Sequence, residues 1–300
     1  MRLARQVLLF GFVAYTFILL AISVGLGEVS TRVHPSMRLS APDEMARSIV
    51  TSTGGEWRNA EMRSFDGTQL SAWLFTPQHP NGHAVIAMHG VGDSRRGVLG
   101  HAHMLVRNGY TVLTPDSRAH GLSGGDFFTY GVLERDDTKA WVDWLVANVH
   151  PVNVYGLGES MGAANLIQSL PGDPRIKAIV AEAPFHSFEE IGYERVKQFG
   201  LGLLIPWPML EPSFLYIRFR NGTDLKLASP AEAMQKSRTP VLIIVGSNDR
   251  NILPQHGRNL YREAQDHAEI WELPGVTHTL ALGSAPKEFE RRVVEWFQRH

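Results

Sequence analysis

The sequence predicts an α/β fold in which a mostly parallel sheet is covered by helices on both faces. Two observations predict it. From residue 84 onward, short β-branched runs alternate with helical stretches, which is typical of a parallel sheet. Within this alternation lies the pentapeptide Gly-Glu-Ser-Met-Gly, from Gly158 to Gly162, between an extended run and a helical run. We therefore expect a strand, a sharp turn and a helix here, with Ser160 at the turn.

Composition bounds the size and the chemistry of the molecule. The 300 residues suffice for one large domain with a small appendage. Their formal net charge of -1 gives no electrostatic reason to expect a nucleic acid as a partner. The chain has no cysteine, which excludes thiolate catalysis, disulfides and zinc-thiolate sites.

The N-terminal segment is long and apolar enough to cross a membrane. An uncharged run from Val7 to Gly27, rich in Leu, Val, Phe and Ile, spans a bilayer if it is helical. Arg2 and Arg5 precede it, which favours a cytoplasmic N-terminus and a globular domain outside the cytoplasm. Because the run is longer than the apolar part of a usual signal peptide, we interpret residues 1–27 as an uncleaved anchor.

Two other interpretations of this segment stay open. A secretory signal peptide, with small residues at Ala21 and Ser23 or at Gly25 and Gly27 marking its cleavage, would leave a secreted or periplasmic protein. The second alternative is a buried core helix, although nothing amphipathic shows in the run.

The next elements predict a linker and an antiparallel opening to the sheet. Residues 28–55 are mixed in composition, with a short helix possible over 43–48, and we interpret them as a linker. From Trp57 to Phe65 the pattern alternates, Asp66-Gly67 is a hairpin turn signal, and Gln69 to Thr76 form a second strand. The globular domain is therefore expected to begin at residue 56 and to run to residue 300.

Strands and helices then follow one another through the domain. The predicted strands are 84–88, 110–114, 152–155, 176–181, 240–246 and 269–273, and the predicted helices are 98–108, 134–148, 163–170, 255–264 and 286–299. An insertion at about 184–230, rich in apolar residues and proline, interrupts the alternation.

Catalytic side chains are expected where strands end. A serine hydroxyl becomes a nucleophile when an imidazole removes its proton, and a carboxylate fixes the tautomer of that imidazole. Asp249 follows the strand 240–246, and His278 follows the strand 269–273. Because the carboxyl ends of parallel strands share one edge, Ser160, Asp249 and His278 are expected to meet there. Glu182 also follows a strand and is the competing carboxylate.

With these residues in place, the chain resembles an α/β-hydrolase of the serine hydrolase branch that includes esterases, lipases and S33 or S9-like peptidases. The resemblance begins at about Trp57 and rests on three further motifs. The segment from His89 to Ser94 is similar to the His-Gly oxyanion loop of that superfamily. The loop from Asp116 to Gly125 resembles a second motif, with Ala119 in place of the usual glycine, and Pro240 to Pro254 resembles the segment that carries the acid.

The resemblance implies the α/β-hydrolase fold and a role for each matching residue. It implies that Ser160 is the nucleophile, that His278 is the general base and then acid, and that Asp249 orients it. The oxyanion hole would consist of the backbone N–H groups of Met161 and Val91. The insertion at 184–230 occupies the position of a cap, whose apolar side would roof an acyl or aromatic pocket.

The sequence therefore predicts a serine hydrolase that cleaves carboxylic esters through an acyl-enzyme, without a metal or organic cofactor. Its partners would be a small-molecule ester or acyl substrate and the membrane around the N-terminal segment. The alternatives are a serine peptidase of the aminopeptidase type, a thioesterase, and a non-catalytic binding protein. An aminopeptidase needs an acidic group to hold the substrate amine, for which Glu189, Glu190 and Glu194 are the candidates.

Other histidines and the cap carry weaker expectations. His89 and His120 are expected to brace loop backbone rather than perform chemistry. His101 and His103 are two residues apart, a spacing that does not place two metal ligands on one helix face. His186 lies on the edge that carries the site and could line it. A further hypothesis is that the apolar cap segment from Leu203 to Leu210 dips into the bilayer.

Overall fold

The computed structural model describes residues 2–39, 42–198 and 207–300. An eight-stranded sheet forms its centre, in the order β1-β2-β4-β3-β5-β6-β7-β8. β2 is antiparallel to β1 and β4, and the remaining neighbours are parallel. The strands are β1 (Glu56–Arg63), β2 (Gln69–Thr76), β3 (Ala84–Met88), β4 (Thr111–Pro115), β5 (Val154–Glu159), β6 (Ile176–Glu182), β7 (Val241–Gly246) and β8 (Ala268–Leu273).

The helices connect these strands and continue beyond the sheet at both ends of the chain. They are α1 (Arg2–Thr31), α2 (Asp43–Thr53), α3 (Leu99–Arg107), α4 (Glu134–Asn148), α5 (Met161–Ser169), α6 (Phe188–Gln198), α7 (Trp207–Asn221), α8 (Pro230–Lys236), α9 (Pro254–Glu263), α10 (Ala281–Ser284) and α11 (Pro286–Arg299). Short 3₁₀ turns occupy Pro35–Arg38, Leu170–Gly172 and Leu225–Leu227.

The apolar core lies on both faces of the sheet, as the continuous hydrophobic strands predict. On one face α4, α5, α8 and α9 bury side chains such as Trp141, Leu166 and Leu260. On the other face α2, α3 and α11 bury a second set, which includes Leu105 and Phe289. Each large apolar side chain removed from water in this way contributes about 1.5–3 kcal/mol to folding. The predicted α/β-hydrolase fold is thus confirmed in its sheet, its layers and its antiparallel opening.

One strand differs from its prediction in a way that matters for the site. The sequence predicted a strand over 152–155 that stops at Gly156, whereas β5 runs on to Glu159 and Gly156 pairs with Ile86 and Ile179. A Cβ at Gly156 would lie 2.9 Å from Ile179 Cγ2 and from Leu166 Cδ2. The glycine therefore serves close packing between sheet and helix, and does not end the strand.

The linker prediction is wrong at its start, because α1 continues to Thr31 and its last part is packed. Ser23, Gly27 and Thr31, spaced four residues apart, are the buried residues of α1. A Cβ at Gly27 would lie 3.0 Å from Tyr216 Cδ1, so the small residues allow α7 to approach α1 closely. The remainder of α1 is largely exposed, as a membrane-crossing helix requires.

The residues after α1 are also docked rather than free. The Arg38 guanidinium donates to the carbonyl oxygens of Ser123 and Gly125, and the Gly121 N–H donates to the Met37 carbonyl oxygen over 2.7 Å. Arg38 and Met37 thus hold this segment against the loop after β4, where the sequence predicted a linker. Further on, the short helix that was possible over 43–48 is the 11-residue α2, which buries Ala46 and Ile49 against the core.

The insertion forms a cap from α6 and α7, whose buried side chains make a third apolar cluster. Its members include Phe185, Phe188, Ile191, Leu210, Phe214 and Ile217. The predicted bilayer contact of Leu203 to Leu210 falls mostly on residues 203–206 and on side chains that lie outside the described residues.

Candidate active site

The turn between β5 and α5 has the backbone of a strained nucleophile elbow. Ser160 adopts φ 53° and ψ -114°, a conformation that side-chain-bearing residues rarely adopt and that costs about 1–3 kcal/mol. Its N–H donates to the Glu182 carbonyl oxygen over 2.8 Å, which ties the turn to β6. A Cβ at Gly162 would lie 2.3 Å from the Met88 carbonyl oxygen, and one at Gly158 would lie 2.6 Å from the Ala163 nitrogen. Both glycines are therefore required by the turn.

His278 and Asp249 are hydrogen-bonded to each other at the same edge of the sheet. His278 Nδ1 lies 2.7 Å from Asp249 Oδ2, while Asp249 Oδ1 accepts the N–H groups of Asn251 and Ile252 over 2.8 and 3.0 Å. Asp249 is buried, and the His278 side chain is 20% exposed. The carboxylate, held by two backbone donors, fixes the proton on Nδ1 and leaves Nε2 as a proton acceptor.

Ser160 and His278 line one cavity of about 570 Å³ beneath the cap. This volume lies within the range of about 300–1,000 Å³ that is typical of small-molecule sites. The wall is mostly apolar. Its residues come from α1 and the loops (Leu26, Gly27, Val29, Ser30, Gly90, Val91, Asp93, Tyr130), the elbow (Glu159, Ser160, Met161), the cap (Phe185, Phe188, Ile191, Gly192, Arg195, Val196, Leu210, Ser213, Phe214, Ile217) and the late loops (Asn251, Ile252, His278, Thr279).

The two candidate oxyanion donors also border this cavity. Val91 and Met161 both line it beside Ser160. Within the described residues, neither of their N–H groups donates a hydrogen bond to the protein. A Cβ at Gly90 would lie 3.4 Å from Ser160 Cβ, so the loop after β3 runs directly against the elbow. Two unpaired donors beside a serine suit a developing oxyanion.

His89 and His120 brace the loops around the elbow, as the sequence predicts. His89 Nδ1 donates to the Gly90 carbonyl oxygen over 2.8 Å, and its Nε2 accepts the Ser117 N–H over 3.0 Å. His120 Nδ1 donates to the Arg118 carbonyl oxygen over 2.9 Å, and its Nε2 accepts the Gly92 N–H over 3.3 Å. Burial lowers the pKa of both rings, that of His120 to about 4. Each ring is thus neutral, with one donor and one acceptor.

Ala119, which stands where the superfamily motif usually has glycine, adopts an unusual backbone conformation. Ala119 adopts φ 65°, the left-handed region in which glycine is the usual residue. The loop is held in this shape by Asp116, which accepts the Arg95 N–H over 2.7 Å and its Nη2 over 2.6 Å. The alanine therefore stores about 1–2 kcal/mol of strain without touching the cavity.

Glu182, the competing carboxylate of the sequence analysis, does not bond to His278. Its Oε1 accepts the N–H of Ala281 over 2.9 Å and so holds the loop that follows His278. Its Oε2 lies 4.0 Å from His101 Nε2, and His101 Nδ1 lies 3.5 Å from Glu159 Oε1. A buried cluster of three ionisable side chains, His101, Glu159 and Glu182, thus lies behind the elbow, and the sequence analysis did not foresee it.

The surroundings of this cluster favour the neutral form of each of its three side chains. Burial, with repulsion from Glu182 and Asp93, raises the pKa of Glu159 to about 8. Burial raises the pKa of Glu182 to about 7, against the opposing effects of the Ala281 N–H and His278. Burial lowers the pKa of His101 to about 4. The three possible ligand atoms lie within 4.8 Å of one another, but a carboxyl group binds a cation in its ionised form and this environment favours protonated carboxyls.

The remaining candidate residues lie away from the cavity. His103 faces Ser52 Oγ at 3.1 Å, on a different side of α3 from the buried His101, which confirms that the two do not form a metal pair. His186 lies between Glu190 and Glu263, at 2.8 and 2.9 Å, and does not line the cavity.

The acidic cap residues have partners outside the cavity. Glu190 pairs with His186, Glu194 lies 3.0 Å from His256 Nε2, and Glu189 lies 3.3 Å from Lys226 Nζ. None of the three lines the cavity within the described part of the chain, where Arg195 contributes a cation to the wall instead. The three candidates for an amine-binding group therefore do not face this cavity.

Comparison with known proteins identifies the family. The family described as serine aminopeptidase, S33, matches residues 78–229, about half of the chain. The chain belongs to this family. The S33 hydrolase is thus a member of the α/β-hydrolase superfamily, and the resemblance inferred from its motifs is confirmed.

Individual relatives agree in fold over most of the chain. The Pyrococcus furiosus esterase Pf2001 superposes with a TM-score of 0.68 at 26% identity, covering 83% of this chain and 95% of the esterase. The uncharacterized protein YqkD of Bacillus subtilis (strain 168) is 27% identical over 234 residues, which are 77% of this chain and 75% of YqkD. An acylaminoacyl peptidase of Pyrococcus horikoshii shares the fold at 16% identity and a TM-score of 0.63, covering 82% of this chain and 41% of the peptidase.

Proposed function

We propose that the S33 hydrolase cleaves carboxylic esters through an acyl-enzyme on Ser160. One observation carries this proposal: Ser160, on its strained turn, and His278, bonded to the buried Asp249, line the same apolar cavity. The similarity to an esterase at 26% identity supports the choice of ester. The reaction needs no group beyond the side chains and backbone of the chain.

In the proposed reaction, His278 Nε2 takes the hydroxyl proton of Ser160 as its oxygen attacks the ester carbonyl carbon. The carbonyl oxygen becomes an oxyanion, which the N–H groups of Val91 and Met161 stabilise; one such donor is worth about 10²–10³-fold in kcat. The imidazolium then gives its proton to the leaving alcohol. Water, deprotonated by His278, releases the acid and restores Ser160.

The mostly apolar character of the cavity wall favours an ester with an apolar acyl group. The wall carries one cation, Arg195, and two acidic residues, Asp93 and Glu159, so its charges by themselves do not decide between an ester and a peptide amine. The candidate amine-binding carboxylates of the cap, Glu189, Glu190 and Glu194, have partners outside the cavity. An uncharged acyl group, in contrast, would pack on aromatic and aliphatic side chains without desolvating a charge.

We also propose that α1 is retained as an anchor, with the catalytic domain outside the cytoplasm. Leu26 and Gly27 line the cavity, and Gly27 packs on α7. Signal cleavage near Gly25 and Gly27 would remove this part of the wall. A retained α1 keeps both the wall and the membrane span, which the 30-residue apolar helix is long enough to form.

The proposed function is tested by Ser160→Ala in pure protein. We expect the turnover of short p-nitrophenyl esters to fall by at least about 10⁴-fold, because the nucleophile is removed. Ser284→Ala, an exposed serine at the end of α10, is the matched control and should keep full activity. Labelling by a fluorophosphonate probe should be lost with Ser160 alone. Unchanged turnover in Ser160→Ala would falsify the assignment, and preference for aminoacyl amides over esters would favour the peptidase instead.

A further inference from the structure

Helix α1 forms part of the cavity wall at the height where it leaves the membrane. About 20 helical residues cross the hydrocarbon of a bilayer, and the uncharged run of α1 extends from Val7 to Gly27. Leu26, Gly27 and Val29 line the cavity. The part of the wall that α1 supplies therefore lies at the end of the membrane-crossing run, next to the first charged residue, Glu28.

The cavity opens to the surface beside this end of α1. Val29 lines the cavity and is 82% exposed, so the wall at this point is also its rim. Farther inside, the wall is built from buried side chains such as Phe185, Phe188 and Phe214. The passage from the rim toward Ser160 is thus apolar along the side formed by α1 and the cap.

Helix α7 has apolar side chains on the side facing away from the cavity as well. Leu210, Phe214 and Ile217 are buried and line the cavity, whereas Leu215 and Phe219 are 67% and 91% exposed. Leu215 and Phe219 are four residues apart and so share one side of the helix. A cap helix in water would carry polar side chains there, whereas a helix that rests in a membrane interface exposes apolar ones.

Two contacts fix α7 at the height of the membrane surface. Ser213 Oγ donates to the Ser23 carbonyl oxygen, and the Tyr216 hydroxyl donates to the Glu28 carboxylate. The contacts keep the same order along both helices, so α7 runs alongside the last turns of α1 in the same direction. Leu215 is therefore level with the end of the apolar run, and Phe219 lies about one turn farther on, at the polar boundary. Arg218 and Arg220, both exposed, flank Phe219. Arg218 lies 3.7 Å from the Asp224 carboxylate, and Arg220 is suited to the phosphate of a lipid headgroup.

We propose that the exposed apolar side of α7 contacts the boundary of the same membrane that α1 crosses, and that the site draws from this membrane an ester with a long acyl chain, which enters beside Val29 between α1 and α7. This inference rests on the proposed ester hydrolysis and on the retained anchor. The acyl chain passes from lipid into an apolar cavity without crossing water. The ester group remains at the polar boundary and reaches Ser160.

Membrane contact of α7 is tested directly with single cysteines, which label cleanly because the chain has none of its own. Phe219→Cys, labelled with an environment-sensitive fluorophore in full-length protein in phosphatidylcholine vesicles, should be quenched by brominated acyl chains. Val152→Cys is the control, since Val152 is 74% exposed and precedes β5 at the opposite end of the sheet. Equal quenching at both positions, or none at Phe219→Cys, overturns the proposal.

Substrate access is tested by charging the outer side of α7. Leu215→Glu with Phe219→Glu should lower hydrolysis of a palmitoyl ester dissolved in the vesicles by about tenfold or more, because carboxylates disfavour the interface contact. Hydrolysis of p-nitrophenyl acetate in water should stay within about twofold. Val152→Glu should change neither rate. An unchanged palmitoyl rate, or an equal fall for both substrates, contradicts lateral access.

Different results contradict the ester hydrolysis and the membrane route. If the unmodified protein hydrolyses neither the acetate nor the palmitoyl ester, the proposed ester hydrolysis is contradicted. If acetate is hydrolysed normally and the palmitoyl ester is hydrolysed equally fast with and without the charged substitutions on α7, only the entry of substrate from the membrane is contradicted. Flotation of the vesicles with each variant establishes that α1 still anchors it.

Discussion

At the scale of single residues, the candidate site depends on which of two carboxylates is hydrogen-bonded to His278. Asp249 is bonded to His278 Nδ1, whereas Glu182 is bonded to the backbone of the loop that follows. Glu182 is the last residue of β6 and Asp249 follows β7, and both are buried. Their different partners give them different consequences on substitution.

We expect Asp249→Asn to lower kcat by about 10³–10⁴-fold with little change in KM, because an amide no longer fixes the proton on Nδ1. Glu182→Gln keeps an acceptor for the Ala281 N–H and should cost far less. Steady-state kinetics of both variants on one short ester separates them. A larger loss in Glu182→Gln than in Asp249→Asn would reverse their roles.

The buried cluster behind the elbow predicts a pH dependence of stability. The pKa values of Glu182 and Glu159, about 7 and about 8, exceed their usual value of 4.5. The folded state therefore binds more protons than the unfolded state near neutrality, and the free energy of unfolding should fall as pH rises through this range. The lowered pKa of His101 acts in the opposite direction, but only below about pH 6.5.

We expect Glu159→Gln to flatten this decline, because it removes one of the two buried carboxyls that must ionise. Urea unfolding between about pH 6.5 and pH 8.5 measures the slope. The other ionisable groups that face the cluster, Asp93, Asp249 and His278, stay in place. A variant slope equal to that of the parent protein would contradict the raised pKa of Glu159.

At the scale of elements, the packing of α1 on α7 decides the shape of the cavity. Gly27 lies tightly against α7, since a Cβ would lie 3.0 Å from Tyr216 Cδ1 and 3.2 Å from Ile217 Cγ1. Gly25, two residues earlier in the same helix, has nothing within 4 Å of a Cβ. The two glycines form a matched pair for testing this contact.

We expect Gly27→Leu to lower the stability of the detergent-solubilised protein by about 1–3 kcal/mol relative to Gly25→Leu, through overpacking. Both substitutions change helix propensity equally, so their difference isolates the contact with α7. Thermal unfolding of the two variants provides the measurement. Indistinguishable midpoints would mean that α1 does not pack on α7.

The helices and strands could be predicted where they depend on a local sequence pattern, and less well where they depend on contacts between residues far apart in the chain. The strands from residue 69 onward, the helices α3, α4, α5, α9 and α11, and the positions of Ser160, Asp249 and His278 after strands follow from periodicity and from the rule that strand ends share one edge. The helices α6, α7, α8 and α10 were not predicted. Gly156 was misjudged because a glycine that allows close packing and one that ends a strand are alike in sequence. The cluster of His101, Glu159 and Glu182 needs three-dimensional register, which periodicity does not supply.

The docking of α1 escaped prediction for a related reason. Its small residues, Ser23 and Gly27, fit a signal-cleavage pattern as well as a helix-packing pattern. Nothing nearby in sequence distinguishes the two, because the partner helix α7 lies almost 200 residues away. Ser23, Gly27 and Thr31 at intervals of four are the signal that could have indicated a packed side of an otherwise exposed helix.

At the scale of the whole molecule, the N-terminal segment combines a helix long enough to cross a membrane with part of the cavity wall. Deletion of residues 2–21 keeps the packed part of α1, whereas deletion of residues 2–31 removes it together with its share of the cavity wall. We expect the shorter deletion to keep the hydrolysis of short esters within about threefold and the longer one to lose about tenfold or more.

Purified forms of both deletions, compared on p-nitrophenyl butyrate with the same detergent present, provide this measurement. Equal activity in the two would mean that the wall supplied by α1 has no part in the site. Mass spectrometry of the full-length product, showing whether Leu26 and Gly27 remain after export, checks the retained anchor independently.

The shared wall makes α1 irreplaceable in a way that ordinary anchors are not. An unrelated apolar helix of equal length would attach the protein to the membrane, but it would not replace the part of the cavity wall formed by Leu26, Gly27 and Val29. The proposed membrane anchor and part of the cavity wall therefore belong to the same segment of the chain. A chimaera with a foreign anchor should reach the membrane and fold, yet bind its acyl group poorly.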